Sequence, residues 1–230
     1  MALKRTSLPR TAEAVALAEL RDAIVRGDLA PGAPIRQSTA AEELGLSVIP
    51  VREALKTLAG EGIVTYVPQR GYTVTQLTPQ SVDDIFRMRE LLETEAEANA
   101  ASRIRPEDIA AMHAAVEAQR AAAAVTDVPG VIAANRSFHF VLFDRCDNEW
   151  LLRCITQLWE ALEPHRALSY RRAAAAGDLA RSGAILAEHD AVVTALEQGK
   201  TPHALQLLAA HRAGGHSDYH RLLRTAEQPG

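Results

Sequence analysis

The 230-residue sequence predicts a mainly α-helical protein built from two parts. Hydrophobic residues make up 47% of the chain but aromatic residues only 4%, and much of the apolar content is alanine, which favours closely packed helices over a sheet. Short β-branched runs of the kind that form strands occur between positions 63 and 75. We therefore expect an N-terminal part at 1–78 that contains one hairpin, and a C-terminal antiparallel all-α bundle at 79–230.

The first part begins with two predicted helices. Apolar residues at helical spacing, with Thr11 as a candidate N-cap, predict a helix over 11–26. After a Pro-Gly turn, a short second helix is predicted over 40–44. Thr39 and Glu42 form the T-x-x-E pattern of a capping box, which would fix where that helix starts.

A third helix is predicted over 48–59, with Ser47 as its N-cap. Pro50 falls in the first turn, where its missing amide costs little. The apolar positions of this helix share one face, and Arg52 and Lys56 lie on the opposite face. These two cations are candidates for contacts with DNA bases and phosphates, although an ordinary solvated helix face has the same pattern.

Two short β-branched runs, at 63–67 and 71–75, predict a hairpin whose tip is at 68–70. The order helix, helix, turn, helix, hairpin is that of a winged helix-turn-helix, which places its second motif helix in the DNA major groove. Residues 1–78 carry nine Lys and Arg against eight Asp and Glu, whereas the remainder carries 16 against 21. The front part is therefore the more basic, which permits phosphate binding.

The second part contains no strand pattern and is divided into helices by short breaks. The predicted helices cover 80–104, 106–124, 129–146, 149–168, 178–198 and 202–224. The breaks include Gly177-Asp178 and the stretch from Gly199 to Pro202. Because the connections are short, neighbouring helices should run antiparallel.

Histidines in the second part could form a metal site. His139 stands four residues after Asn135, so both face the same way on one predicted helix, and His189 and His211 lie on two later helices. Helical bundles build metal sites from side chains on facing helices. The chain has eight histidines, so spacing alone leaves open whether these three are ligands or separate core and surface residues.

Other classes of protein lack support in the sequence. No stretch approaches the length of a membrane span, and Cys146 and Cys154 are spaced like neither a zinc nor a redox pair, which favours a reduced cytoplasmic protein. The sequence contains no H-E-x-x-H motif and no nucleophile elbow. We therefore expect no enzyme, although a metal-dependent enzyme using the histidines is one alternative.

The motifs of the first part resemble the GntR family of bacterial regulators. The matching residues run from Leu20 to Gly32, from Ser47 through Pro50-Val51-Arg52-Glu53-Ala54-Leu55 to Leu58, and on through Glu61-Gly62-Ile63-Val64 and Gly71-Tyr72 to Val74. The resemblance implies a homodimer that binds operator DNA, most often as a repressor.

The candidate DNA-contacting residues are Arg36, Ser47, Pro50, Arg52, Lys56, Arg70 and Gly71, and the resemblance implies roles for Arg52 and for the wing. In this reading Arg52 reads the major groove, and the wing at Arg70-Gly71 enters the minor groove. Family members usually carry an arginine directly after the serine, where this chain has Val48. We expect an altered operator sequence with fewer phosphate contacts, and partial compensation by Arg36.

The second part resembles the FadR C-terminal (FCD) subfamily of these regulators. The matching residues are Arg89-x-x-x-Glu93, Asn135-x-x-Phe138-His139, Asn148, Glu188-His189 and His211. Many members hold a divalent metal through one Asp or Asn and three His, which implies Asn135, His139, His189 and His211 as ligands of Zn, Ni or Mn. Where many members have Asp, this chain has Asn135, which is a weaker donor to a hard cation.

The subfamily binds a small carboxylate effector, so we expect an organic acid or sugar acid here. Arg89 is the candidate for holding its carboxylate, and a helix-surface ion pair with Glu93 is the alternative. A further alternative is a DNA-binding dimer whose helical domain binds no ligand.

Other residues of the second part are expected to have structural positions only. Four histidines, at 113, 165, 216 and 220, are expected to be exposed, and Asn148 is expected to be a helix N-cap. Trp150 and Trp159 are expected to pack in the core or in a dimer interface.

Overall fold

The computed structural model describes residues 11–176 and 180–226. The predicted break at Gly177-Asp178 and the chain termini lie outside this range. Within it the helices are α1 Ala12–Arg26, α2 Gln37–Glu43, α3 Val48–Gly60, α4 Pro79–Ala101, α5 Pro106–Ala124, α6 Val128–Phe143, α7 Glu149–Ala175, α8 Ala180–Glu197 and α9 Thr201–Ala226. The strands are β1 Pro34–Ile35, β2 Val64–Val67 and β3 Gly71–Val74. The predicted mainly α fold, a winged helix-turn-helix followed by a helical bundle, is confirmed.

The predicted hairpin is the antiparallel pair β2 and β3, in which Val64 faces Val74 and Val67 faces Gly71. The tip turns through Gln69, whose φ is 65°, and Gly71, whose φ is 85°. A left-handed φ is costly for most side chains, so glycine suits the second of these positions. The wing therefore ends in a tight turn that presents Arg70 to solvent.

Strand β1 was not predicted from the sequence, and the start of α2 was therefore predicted at the wrong residue. The strand has only two residues, Pro34 and Ile35, and it completes the sheet order β1-β3-β2 by pairing with β3. The pairing holds Arg36 in an extended conformation, and α2 begins at the next residue. Thr39 therefore lies inside α2, and the predicted capping box was wrong because a long-range strand pairing fixes where this helix starts.

The DNA-binding part has its own core, in which α1 and α3 pack together and against the sheet. Leu20 and Ile24 of α1 and Leu55 and Leu58 of α3 are buried there. At the N-terminus of α3, Ser47 occupies the N-cap position, but its side chain makes no capping hydrogen bond. The apolar face of α3 is consequently fixed against the sheet, and its other face is left to solvent.

The bundle consists of α4 to α9 with short connections. The most extensive packing joins α5 to α6, α8 to α9 and α4 to α9. Asn148 caps α7 by accepting a hydrogen bond from the backbone N–H of Leu151, as predicted. Helix α7 runs to Ala175 rather than 168, because Ala167 and Tyr170 continue its apolar face against Val25 of α1.

Helix α7 joins the two parts of the molecule. Arg171 donates hydrogen bonds to the carbonyl oxygens of Ile24 and Val25 at the end of α1. Arg21 of α1 forms an ion pair of 2.5 Å with Glu61, directly after α3, and one of 3.5 Å with Glu163 of α7. A change in the position of α7 would therefore reach the ends of both α1 and α3.

None of the described helices combines the length and the hydropathy that crossing a lipid bilayer requires.

Candidate functional site

Three histidines meet inside the bundle. His139 of α6, His189 of α8 and His211 of α9 each bring a ring nitrogen to within 4.8 Å of the other two. His139 and His189 are buried, and His211 is partly buried. Asn135, one turn before His139 on α6, is buried and lines the same cleft as His139 and His211. The structure thus brings together the three histidines that the resemblance implied as metal ligands, and it places Asn135 in the same cleft as two of them.

Neighbouring side chains fix the orientation of two of these rings. His189 Nδ1 lies 3.0 Å from Gln119 Oε1, and His211 Nδ1 lies 2.6 Å from Glu188 Oε2. Metal-binding histidines usually engage their second ring nitrogen with a carboxylate or carbonyl oxygen in this way. His189 Nε2 is buried and has no hydrogen-bond partner within the described residues. A buried ring nitrogen without a partner is costly unless something else binds it.

The electrostatics of the cluster keep the imidazoles of His139 and His189 neutral, as metal binding requires. Burial, with the nearby His211 and His189, holds the pKa of His139 well below its usual value. Burial, with His211, lowers the pKa of His189 to about 3. Burial of Glu188 would raise its pKa, but hydrogen bonds from His211 and Arg181 outweigh this and lower it to about 2. The residues present therefore fit a divalent ion.

A cleft of about 710 Å³, counting solvent at its mouth, opens beside the histidines, and four arginines line it. Three of these form ion pairs: Arg89 with Glu93, Arg181 with Glu188 and Asp218, and Arg212 with Glu93 and Glu97. The fourth, Arg166, packs its guanidinium 4.5 Å from the Trp159 ring centroid. Among the described residues no carboxylate pairs with Arg166.

Arg89 and Glu93 belong to a buried charge network rather than to the helix surface. Arg89 Nε donates to Glu93 Oε1 at 2.6 Å, and Arg212 donates to Glu93 Oε2 at 2.8 Å. Trp159 Nε1 also donates to Glu93, at 2.7 Å. Burial alone would raise the pKa of Glu93, but the two guanidinium groups outweigh it and lower the pKa. The expected ion pair between Arg89 and Glu93 therefore exists, but it is buried and holds helices together instead of lying on the helix surface. Arg89 also lines the cleft.

Of the two tryptophans expected in the core or a dimer interface, Trp159 is in the core. Trp150 is 74% exposed, so a dimer interface is the alternative that stays open for it. The expectation of four exposed histidines was wrong in part. His113 is exposed as expected, and His216 and His220 are partly exposed. His165, by contrast, is buried, because α7 continues past it and packs it against the segment that leads into α4.

His165 has a structural role that the sequence pattern did not predict. Its Nε2 accepts a hydrogen bond of 3.1 Å from the backbone N–H of Leu77, between the wing and α4. The ring is therefore neutral, with its proton on Nδ1, a buried atom that has no partner within the described residues. Burial lowers the pKa of His165 to about 4. Protonation would abolish the acceptor that holds Leu77.

We expect His165 to make the fold sensitive to acid. Its pKa is lower in the folded chain than in the unfolded one, so its contribution is intact above pH 6.5 and is lost as the pH falls toward 4. Between pH 7 and pH 5, the titration of His165 alone should lower the free energy of unfolding by about 2 kcal/mol. His165→Gln keeps an acceptor without a titrating group, so urea unfolding should show a smaller loss in this variant. Equal losses in both proteins would contradict the role of His165.

The predicted DNA-contacting residues of the winged part are all exposed or partly exposed. Arg52 and Lys56 on α3 are exposed, with side-chain exposures of 50% and 56%, and both contact Glu53. The other predicted residues that are exposed are Arg36, Ser47 and Arg70, and Pro50 and Gly71 are partly exposed. Val48 and Ile49, in the first turn of α3, are exposed apolar residues. The helix thus presents a mixed apolar and cationic face.

A helix-turn-helix with a hairpin wing and an exposed cationic helix defines a DNA-binding protein of the winged helix class. Residues 11–74 match the bacterial regulatory proteins of the GntR family, and residues 84–214 match the FCD domain. The chain belongs to the GntR family and carries an FCD domain.

Known relatives agree with this assignment. The HTH-type transcriptional regulator McbR of Escherichia coli (strain K12) is 32% identical over 64% of this chain and 66% of its own length, just under two thirds. The HTH-type transcriptional repressor GlaR of the same organism is 25% identical over 84% of this chain and 88% of GlaR. The solved structure of E. coli McbR/YncC has a TM-score of 0.77 at 25% identity, covering 92% of this chain and 98% of that one. The chain is a DNA-binding transcriptional regulator.

Proposed function

We propose that this regulator binds operator DNA as a homodimer and that a small carboxylate metabolite, bound beside a divalent metal ion in the bundle, controls this binding. The observation that carries the proposal is the convergence of His139, His189 and His211 on a cleft lined by arginines. Since the names of three relatives include the word repressor, we propose repression as the outcome. The function would be exercised in the cytoplasm, where operator DNA lies.

Asn135, His139, His189 and His211 would hold the ion, which we propose to be Zn, Ni or Mn. When bound, the ion supplies positive charge that attracts an effector carboxylate. Gln119 and Glu188 orient two of the imidazoles. Asn135 contributes a neutral oxygen, so the set of ligands favours ions that prefer nitrogen.

Arg166 is the side chain that we propose for the effector carboxylate. Its charge is not neutralised by a carboxylate among the described residues, whereas Arg89 and Arg212 share Glu93. Guanidinium groups pair with carboxylates through two parallel hydrogen bonds. Arg89 also lines the cleft and remains the second candidate.

Helix α7 provides a physical route from the cleft to the DNA-binding part. It carries Arg166 and Tyr170, which line the cleft, and also His165 and Arg171, which hold Leu77 and the end of α1. An effector that binds one position of α7 more tightly than another would shift the spacing of the two winged parts in a dimer. Operator half-sites demand a strict spacing, so a modest shift alters DNA affinity.

Exposed apolar residues support the proposed dimer. Met88 and Leu91 on α4 have exposures of 46% and 52%, and Trp150 of α7 is also exposed. Large exposed apolar side chains of this kind are typical of interfaces between subunits.

Metal analysis and thermal melting of the untagged chain test the proposal. After the chain is stripped with chelator and incubated with Zn²⁺, Ni²⁺ or Mn²⁺, His211→Gln should bind one equivalent fewer than the wild type. In the metal-loaded wild type, one or more dicarboxylates or sugar acids should raise the melting temperature, and this shift should be absent in His211→Gln. An effector at about 100 times its Kd stabilises the folded state by about 2.7 kcal/mol.

The matched control is His113→Gln, which removes an exposed histidine that pairs with Glu197 outside the cleft. It should retain both the metal content and the effector shift of the wild type. Equal metal content in His211→Gln and the wild type would contradict the proposed metal site. If no acid shifts the melting temperature, the helical domain serves for dimerisation without a ligand, and control by an effector is refuted.

A further inference from the structure

A second cluster of candidate metal ligands lies on the outer side of the bundle, where α4 packs against α9. It consists of Asp83 in the second turn of α4 and His216 and His220 on α9. The Nε2 atoms of both histidines lie 2.7 Å from the same oxygen, Oδ1 of Asp83. The two Nε2 atoms are 3.2 Å apart. Three donor atoms from two helices therefore converge on one point.

The local sequence produces this convergence. His216 and His220 are four residues apart on a helix, so their side chains share one face. Phe86, on the same face of α4 as Asp83, stacks on the His216 ring at a centroid distance of 4.8 Å and an interplanar angle of 24°. The stacking restricts the rotation of the His216 ring and so fixes its Nε2 beside Asp83.

The spacing of the three atoms is close to that of donors around a metal ion. With metal–ligand distances of about 2.0 to 2.2 Å, neighbouring donors in octahedral or tetrahedral shells lie about 2.8 to 3.6 Å apart. The nitrogen-to-nitrogen distance falls within that range, and the two nitrogen-to-oxygen distances are slightly shorter. Because the Asp83 side chain is 48% exposed, it is free to retract by the small distance required.

The cluster is accessible from solution and separate from the buried site. The side chains of His216 and His220 are 37% and 26% exposed, so an ion could enter and keep water in its remaining positions. Hydrogen bonds from His220 and then His216 lower the pKa of Asp83, so its carboxylate is charged. The cluster shares no residue with His139, His189 and His211.

We propose that Asp83, His216 and His220 form a second binding site for a divalent late transition-metal ion, with Zn²⁺ and Ni²⁺ as the best candidates. Two imidazoles and one carboxylate are a ligand set that such ions favour. The bound ion would fasten the N-terminal part of α4 to α9. Helix α4 follows the wing after four residues, so this site would hold the helix through which the winged part joins the bundle.

Equilibrium binding of Zn²⁺ and Ni²⁺ to the full chain tests the proposal. The wild type should bind one more equivalent than the double variant His216→Asn/His220→Asn, because the variant lacks both nitrogen ligands. The single variant His211→Gln removes a ligand of the other site and should retain the second equivalent. A failure of the buried site is therefore distinguishable from a failure of this one.

His203→Asn is the matched control, since it removes an exposed histidine of the same helix that is not in the cluster. It should bind as many equivalents as the wild type. Asp83→Asn provides an independent test that keeps both imidazoles, and its affinity for the second equivalent should fall at least tenfold. Equal stoichiometry and affinity in the wild type, the double variant and Asp83→Asn would show that the cluster shares protons only, and would overturn the proposal.

Discussion

Replacing Glu93 with alanine is expected to lower the free energy of unfolding by about 3 to 5 kcal/mol. Glu93 is buried and accepts hydrogen bonds from Arg89, Arg212 and Trp159. Without it, two buried guanidinium groups face each other with Glu97 as their remaining carboxylate. In the intact network, burial and the nearby Glu93 raise the pKa of Glu97, to about 7. A single carboxylate cannot balance two buried guanidinium charges, so Glu97 compensates poorly even when it is fully charged.

Urea unfolding at one fixed protein concentration measures this loss, because a dimer's stability depends on concentration. Glu90→Ala is the matched control on the same helix, since Glu90 pairs with Arg87 and both side chains are more than 60% exposed. An exposed pair contributes about 0 to 1 kcal/mol. If Glu93→Ala costs no more than Glu90→Ala, the buried network does not hold the bundle together as described.

Much of the fold could be predicted from local patterns. The amphipathic repeats and capping residues placed most helices within a few residues, and the Pro-Gln-Arg tip marked the hairpin between β2 and β3. Strand β1 could not be predicted, since two residues carry no period and the strand exists through pairing with β3. The start of α2 was misplaced for the same reason, because the pairing and not Thr39 determines it.

The candidate site was predictable only in part. Family resemblance suggested His139, His189 and His211, and the structure brings them together. Local spacing carries no information on Gln119 or Glu188, which contact the histidines from α5 and α8. That no carboxylate among the described residues pairs with Arg166 is likewise visible only in the structure.

His165 and the second histidine cluster show a similar limit. His165 lies in an arginine-rich stretch that looks exposed in sequence, yet its partner Leu77 is 88 residues away. The i, i+4 spacing of His216 and His220 is visible in the sequence, but Asp83 joins them only because α4 packs on α9. In both cases the missing information is a contact between distant elements.

The other large expected effect concerns DNA. Arg52→Ala should reduce operator affinity by about 10- to 100-fold, because an arginine that donates two hydrogen bonds to a base contributes about 1 to 3 kcal/mol. Arg52 is exposed on α3, and its weak contact with Glu53 at 3.4 Å leaves its guanidinium available to bind a DNA base.

Lys56→Ala and Arg36→Ala, by contrast, should weaken DNA binding similarly on all sequences and reduce its salt dependence, as expected for phosphate contacts.

The central claim, that α3 of this regulator reads DNA through Arg52, is tested most directly by fluorescence anisotropy on a duplex that the wild-type chain selects from a random-sequence pool. We predict tight, salt-dependent binding by the wild type, a loss of about 10- to 100-fold in Arg52→Ala, and unchanged affinity in Arg120→Ala, which removes an exposed arginine of α5. Failure of the wild type to enrich any sequence, or equal affinity of Arg52→Ala and the wild type for the selected duplex, would contradict the account.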